Sequence, residues 1–273
     1  MLIGNRSSFA IEAYKYIKIK YKNTYINYID KNHDSKEILY KLDKNIKEYL
    51  PDYLIVLSGE IRDNSRMKFL NNQIPNFLVN YCLRYNIKLI YLSSLSVFGI
   101  PSSNDITINS YRNPYNEYGI SKNLADKSIK SLSNSLGVYC IMPSTIIGCS
   151  KHNFYQKILY ALSVFPFKII FSCLCPGGQY HFCSRKDIFE VILKILSSEK
   201  KNKSDNINQS FFKEIICSRT ISIKELFFIS NGYYPKFVLP PIKVSFINRF
   251  FSLLPRKIII HLIFWFSKIN YIN

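Results

Sequence analysis

Acidic residues are scarce in this chain. Its 273 residues hold 18 Asp+Glu against 37 Lys+Arg, a formal charge of +19 at pH 7. Such an excess favours anionic partners: nucleotides, nucleic acid or an acidic membrane surface. Long basic runs are also absent. The lysines are scattered among abundant Asn, Ile, Tyr and Phe, as an A/T-rich genome would produce. That pattern argues against a nucleic-acid stripe, and no nucleic-acid partner is expected. The seven cysteines form no CxxC pair and the four histidines no HxxxH or HExxH, so no metal site is expected. Arg6 and further polar residues follow Met1 too soon for a signal peptide. With an odd thiol count, this points to a reducing compartment, and a soluble cytoplasmic protein is the expectation. Apolar runs long enough to span a bilayer are missing: residues 158–175 are broken by Pro166 and Lys168, and 258–267 is too short. Disorder is excluded in turn, because 48% of the residues are hydrophobic and can build a core.

What is present alternates between strand and helix signals. A very short apolar start, MLI, ends at Gly4. Helical spacing of Phe9, Ala13, Tyr16 and Ile17 follows over 7–20, then the β-rich run TYINYI (24–29) ending at Asp30. Asp34 or Ser35 can cap a helix running to about residue 48, which Pro51 and Asp52 end. YLIVLS (53–58), KLIYLSS (88–94) and VYCIMP (138–143) are continuous apolar runs, as strands buried on both faces require. Helices are expected over 75–86, with Pro75 in the first turn, and over about 115–136. The fold class that follows is α/β, a doubly wound parallel sheet of the Rossmann type. The expected division is a dinucleotide-binding domain over 1–150. A smaller substrate-binding lobe over 151–273 follows, mostly separate, with elements returning to the core. Helices near 187–199 and 221–230 and an aromatic tail are its recognisable parts.

Gly4 stands between the first strand and first helix, where a dinucleotide fold aims a helix N-terminus at pyrophosphate. The stretch Gly4 to Ala10 keeps the spacing of a GxxGxxG turn, but Ser7 and Ala10 replace the later glycines. Asp30 ends the second strand where an acid meets the adenosine ribose. Tyr118-Gly119-Ile120-Ser121-Lys122 places a lysine one helical turn after a tyrosine. A nearby ammonium stabilises phenolate, so Tyr118 can act as acid/base. Tyr14/Lys18, Tyr16/Lys20 and Tyr40/Lys44 share the spacing. Tyr118 alone follows a buried strand that ends in Ser93-Ser94.

YLSSLSVFG (91–99), NPYNEYGISK (113–122) and MPSTIIG (142–148), taken in order, resemble the extended short-chain dehydrogenase/reductase family, the NAD-dependent epimerase/dehydratases of nucleotide sugars. PGGQYHFCSRKDIFEVI (176–192) is similar to the family's glycine turn and Asp187-headed helix. The resemblance implies a catalytic set of Ser94, Tyr118 and Lys122. Tyr118 would exchange a proton with a sugar hydroxyl, Ser94 would hydrogen-bond that oxygen, and Lys122 would bind the nicotinamide ribose and hold the Tyr118 pKa down. It further implies cofactor contacts at Gly4, Ser8, Phe9, Asp30, Ser58, Gly59, Asn72 and Ser144, besides Tyr118 and Lys122. Substrate contacts would fall on Ser94, Thr145, Asn153 and His181. NAD is the expected cofactor, with NADP as the alternative because Lys31 could attract a 2′-phosphate. A nucleotide sugar is the expected substrate, in surface polysaccharide synthesis, and a homodimer fits the resemblance.

Departures from the family pattern sharpen the reading. Leu95 and Ser96 stand where 4,6-dehydratases carry an acidic pair, which argues against dehydration. The expectation is therefore a C4 epimerase or 4-ketoreductase. Met142 replaces the usual Arg before Pro143, and His181 stands where an Arg often grips pyrophosphate. Only a short interval separates Asp30 from the strand at 53, so the adenine-side edge of the sheet is expected to be trimmed. The worn glycine turn keeps open a catalytically degenerate binding protein. The basic aromatic tail (246–268) is expected to pack on the core, with weak peripheral contact at an anionic membrane as the other reading.

Overall fold

The computed structural model describes all residues except 6, 30–33, 62, 133–136, 148–153, 202–211 and 273. They fall into two compact units, and neither is continuous in sequence. The first comprises Met1–Ser96, Asn116–Met142 and Arg185–Ile215; the second comprises Val97–Tyr115, Pro143–Ser184 and Ile216–Asn273. A single boundary at residue 150 does not describe this division: segment 97–115 belongs with the later residues, and 185–215 returns to the first unit.

In the first unit the elements are β1 (Leu2–Asn5), α1 (Ser8–Lys20), β2 (Ile26–Ile29), α2 (Ser35–Tyr49), β3 (Tyr53–Val56), α3 (Asn64–Lys68), α4 (Ile74–Tyr85), β4 (Lys88–Leu92), α5 (Glu117–Leu132), β5 (Val138–Pro143), α6 (Arg185–Lys201) and β6 (Phe212–Cys217). Six strands form one sheet in the order β6-β5-β4-β3-β1-β2. The β1–β2, β1–β3, β3–β4 and β4–β5 pairs are parallel. Leu2, Ile3, Leu54, Val56, Leu89, Ile90, Val138 and Ile141 are buried, which is why the strand sequences read as unbroken apolar runs. The doubly wound parallel sheet expected from the sequence is therefore the fold. Helix starts follow local chemistry. Ser7 caps α1 by accepting from the Ala10 N–H at 3.3 Å, and Asp34 caps α2 by accepting from Glu37 N–H at 2.7 Å.

Strand order sets the position of the site. β2 lies on one side of β1 and β3 on the other, so the carboxyl ends of β1 and β3 flank the topological switch point. β2 is the sheet edge among the described residues. The short interval before β3 leaves no further strand there, in line with the trimmed edge expected.

The second unit is built from small sheets and short helices. Arg219–Ser222, Gln179–Ser184 and Thr145–Ile147 form a three-stranded sheet. Its core gathers Ile158, Leu162, Cys175, Tyr180, Ile223, Leu226 and Phe227. Gly178 is required by close approach: a Cβ there would lie 2.3 Å from the carbonyl oxygens of both Phe264 and Trp265. The tail helix Arg256–Phe266 buries Ile259 and Ile263, and Phe264 and Trp265 pack against that core. Among the described residues no single helix is long and apolar enough to cross a membrane.

Candidate active site

The site builds outward from the carboxyl end of β4. Ser93 and Ser94 follow that strand, and their hydroxyls take different partners. Ser93 Oγ donates to the Asp126 carboxylate at 2.7 Å in a buried setting. Ser94 is hydrogen-bonded to Tyr118 and accepts from Ser96 N–H at 3.1 Å. Asn116 starts α5 by accepting from the Gly119 N–H at 2.8 Å, which brings Tyr118 into the first turn. Burial pushes the Tyr118 pKa up to about 12; the Ser94 hydrogen bond opposes this and the Asp126 charge adds to it.

Lys122 lies one turn further along α5 and is almost fully buried. Its ammonium donates to the Leu92 carbonyl at 2.8 Å and sits 4.8 Å from the centre of the Tyr91 ring. Burial pushes its pKa down to about 8, and Asp126 pulls it back up. The expectation that Lys122 holds the Tyr118 pKa down needs correcting. The influences on Tyr118 are burial, Ser94 and Asp126, because the Lys122 ammonium is turned to the β4 main chain.

Asp126 stands one turn beyond Lys122 and was not singled out from the sequence. Together with Cys140 and Glu214 it places three potential metal-ligand atoms within 4.8 Å of one another, all buried. The thiol of Cys140 points to Asp126 at 3.8 Å, and Ser93 donates to the same carboxylate.

The loop after β3 completes this side. A Cβ on Gly59 would meet Asn71 Oδ1 at 3.3 Å and Lys122 Nζ at 3.6 Å. Asn71 is fully buried. It donates to the Glu60 carbonyl at 2.8 Å and to Ser121 Oγ at 3.0 Å, and accepts from Glu60 N–H at 2.9 Å. It thus ties the Gly59–Glu60 loop to α5. Asn72, the expected cofactor contact, does something else: it accepts from Asn76 at 3.0 Å and lines an outer groove with Met67, Lys68 and Leu124. The reason is a π turn over Phe69–Gln73, which shifts the helical phase by a residue and which no spacing rule reveals.

At the start of α1, Gly4 is explained by packing. Its missing Cβ would lie 2.6 Å from the Ala10 Cβ, so strand and helix could not close up with any other residue at 4. The Phe9 ring packs on Phe189 with centroids 5.4 Å apart. Ser8 Oγ accepts from Arg185 at 3.0 Å, and Arg185 also pairs with Glu12. Arg185 therefore brings a guanidinium to the first turn of α1, a residue that sequence reasoning passed over.

The first turn of α1, Arg185, the Gly59 cradle and the Ser58 hydroxyl (buried without a hydrogen-bond partner at the end of β3) together fit an anionic dinucleotide. In the second unit, Thr145 pairs with Phe182 in the three-stranded sheet, and the Ser144 carbonyl accepts from the Cys183 thiol at 3.7 Å. His181 lies in the same sheet. Its ring meets Tyr271 edge-on at 4.8 Å, both ring nitrogens are buried without a partner, and burial pushes its pKa down to about 4. Asp30 and Asn153 lie outside the described residues.

The chain is similar in structure to a dTDP-4-dehydrorhamnose reductase from Clostridium acetobutylicum, with TM-score 0.60 and 18% identity over 88% of this chain and 82% of that one. It is similar to a dTDP-4-dehydrorhamnose reductase from Bacillus anthracis in complex with NADP, with TM-score 0.61 and 16% identity over 88% and 82%. It is also similar to the Bordetella bronchiseptica enzyme WbmG in complex with NAD and UDP, with TM-score 0.60 and 14% identity over 88% and 80%. A model of the NAD dependent epimerase/dehydratase family matches residues 18–208, most of the chain, and the protein belongs to that family.

Proposed function

We infer that this protein is an NAD(P)-dependent nucleotide-sugar enzyme that reduces a 4-keto sugar, with Tyr118 as the proton donor. The observation that carries the reading is the approach of Ser94 to Tyr118 at the carboxyl end of β4, with the buried Lys122 ammonium one turn further along α5. A hydroxyl that keeps its proton suits donation to a carbonyl oxygen as that oxygen gains charge. Ser94 would hold the same oxygen, and Lys122 would supply a buried positive charge for the ribose. Bound nicotinamide supplies the hydride. The first turn of α1, Arg185, Ser58 and the Gly59 loop would hold the cofactor. Within the second unit, Ser144, Thr145 and His181 are the proposed ligand contacts.

The site argues against dehydration. Leu95 is buried and Ser96 donates to Ser94 at 2.9 Å, so no carboxylate follows the catalytic serine. C4 epimerisation uses the same residues and differs in recycling its cofactor. A binding protein without turnover is the second reading, and it draws on the Gly4–Ala10 contact, which leaves the glycine turn explained by packing alone. The test is to denature freshly purified protein and quantify released NAD(H) and NADP(H), then to assay nucleoside diphosphate 4-keto sugars. Consumption of added NAD(P)H with a 4-keto sugar supports the reductase. Tightly retained NAD with interconversion of C4 epimers would replace it by the epimerase. Failure to bind either dinucleotide at millimolar concentration would overturn both.

A further inference from the structure

The second unit carries an apolar surface that the enzyme reading leaves unused. Its helix Phe167–Cys173 buries none of its residues fully, and the six residues 165–170 before and within it are all exposed. Phe165, Phe167, Ile169 and Ile170 are 78%, 44%, 58% and 51% exposed. The patch continues sideways. Strand Leu174–Cys175 pairs with Phe237–Val238 in the register Leu174 to Phe237, and Phe237 is 69% exposed. The Lys236 N–H donates to the Ser172 carbonyl at 2.7 Å, which fixes the second segment against the first. Phe171 anchors the inner side, packing on Trp265 at 5.2 Å. The apolar side chains are therefore held outward by a short helix and strand seated on this core.

Charge identifies the occupant. The second unit has twelve Lys and Arg against two acids, Asp105 and Glu225. Residues 127–186 and 226–273 contain no acid at all, and Lys168 and Lys236 stand within the patch. A second copy of the chain docking on this face by two-fold symmetry would set lysines against lysines with no carboxylate to answer them. An anionic bilayer answers both features: acyl chains for the aromatic and aliphatic side chains, headgroup phosphates for the ammonium groups. We propose that the second unit docks on the surface of an anionic lipid bilayer through residues 165–174 and the adjoining Phe237. This relocates the membrane reading from the tail helix, whose Ile259 and Ile263 are buried, to the helix Phe167–Cys173, which has no such burial. It does not depend on the reductase reading.

The experiment is co-sedimentation of the full chain with vesicles of phosphatidylcholine alone or mixed with phosphatidylglycerol, at low and raised salt. Binding to the mixed vesicles that weakens as salt rises is the expected result. Phe167→Ser with Ile169→Ser should weaken partitioning about tenfold or more. Lys168→Glu with Lys236→Glu should remove the preference for phosphatidylglycerol. All four positions are exposed, so thermal unfolding and dinucleotide binding should match the parent and separate this result from a folding defect. Failure to bind either vesicle, or variants that bind as the parent does, overturns the proposal. A concentration-dependent dimer abolished by the same substitutions would assign the face to a second copy instead.

Discussion

Ser93 and Asp126 are 33 residues apart in sequence and share a buried 2.7 Å hydrogen bond, while Ser94, the next residue, pairs with Tyr118. Two adjacent serines thus turn to different partners on the same helix, α5. Asp126 connects the two roles, because its charge raises the pKa of both Lys122 and Tyr118.

Removing the proton donor should stop chemistry and leave binding intact. Tyr118→Phe is expected to lower kcat on a 4-keto substrate by about 10²–10⁴-fold, the usual range for general acid catalysis, with NAD(P) affinity little changed. Ser94→Ala should lower it less. Stopped turnover assays with dinucleotide titrations check this; near-normal kcat in Tyr118→Phe would remove the assigned role.

The ammonium of Lys122 titrates with a pKa lowered to about 8 from 10.5, and Asp126 is what keeps it from falling further. Activity that needs the charged form should decline as pH rises through about 8. Asp126→Asn should move that alkaline limb to lower pH, since burial then acts with less opposition. Cys140 and Glu214 from β5 and β6, Tyr91 from β4 and Ser93 just after it also face this region. A pH–rate profile in which the limb stays fixed in Asp126→Asn would show that Asp126 does not set it.

Gly4→Ala should destabilise the first unit by roughly 1–3 kcal/mol, as overpacking does, because the new methyl meets Ala10 at 2.6 Å. Adding Ala10→Gly should recover much of the loss. The double-mutant cycle, read by denaturant unfolding, should give a clear favourable coupling. Additive losses would mean that the contact does not explain the glycine.

Asn71→Ala strips partners from the Glu60 main chain and from Ser121. Buried groups left unsatisfied cost about 1–3 kcal/mol each. A fall in Tm with weakened dinucleotide binding is expected, while Asn72→Ala should change stability little. Equal effects at both positions would contradict the shift in helical phase made by the π turn.

His181 gives a pH signature of stability. Its folded pKa is lowered to about 4 from 6.5. Above 6.5 the ring is neutral folded or unfolded and contributes no pH dependence. As pH falls from 6.5 toward 4 the unfolded chain takes up a proton that the folded chain refuses, so stability is lost. His181→Phe should flatten that part of the Tm-against-pH curve relative to the parent. Parallel curves for the two proteins would mean that the ring is not desolvated.

Much of the first unit was legible because its signals are local. YLIVLS, KLIYLSS and VYCIMP are apolar throughout, since strands covered on both faces tolerate nothing else. Asp34 announces a helix by its own side chain. Tyr118 stood out from three other tyrosine–lysine pairs by following the Ser93-Ser94 strand end. The residues that were missed act at long range. Arg185 reaches Ser8 across 177 positions, Asn71 reaches Ser121 across 50, and Glu214 joins Asp126 and Cys140 from the last strand of the sheet. No spacing rule joins such partners, and Asn71 sits beside Asn72 and Arg185 beside Lys186, residues of similar type.

Sequence by itself determined the alternation of strand and helix, the switch point that follows from it, and the types of residue offered at each strand end. These depend on side-chain periodicity, capping and backbone preference, which act within a few positions. The tertiary structure decided which serine meets Tyr118, that Asn71 holds the loop instead of Asn72, and that the Lys122 ammonium turns to the Leu92 carbonyl. It also decided that Gly4 answers to Ala10 and that segment 165–174 is exposed where the tail helix buries Ile259 and Ile263. Those outcomes depend on which groups are desolvated together, and desolvation is a property of the packed chain.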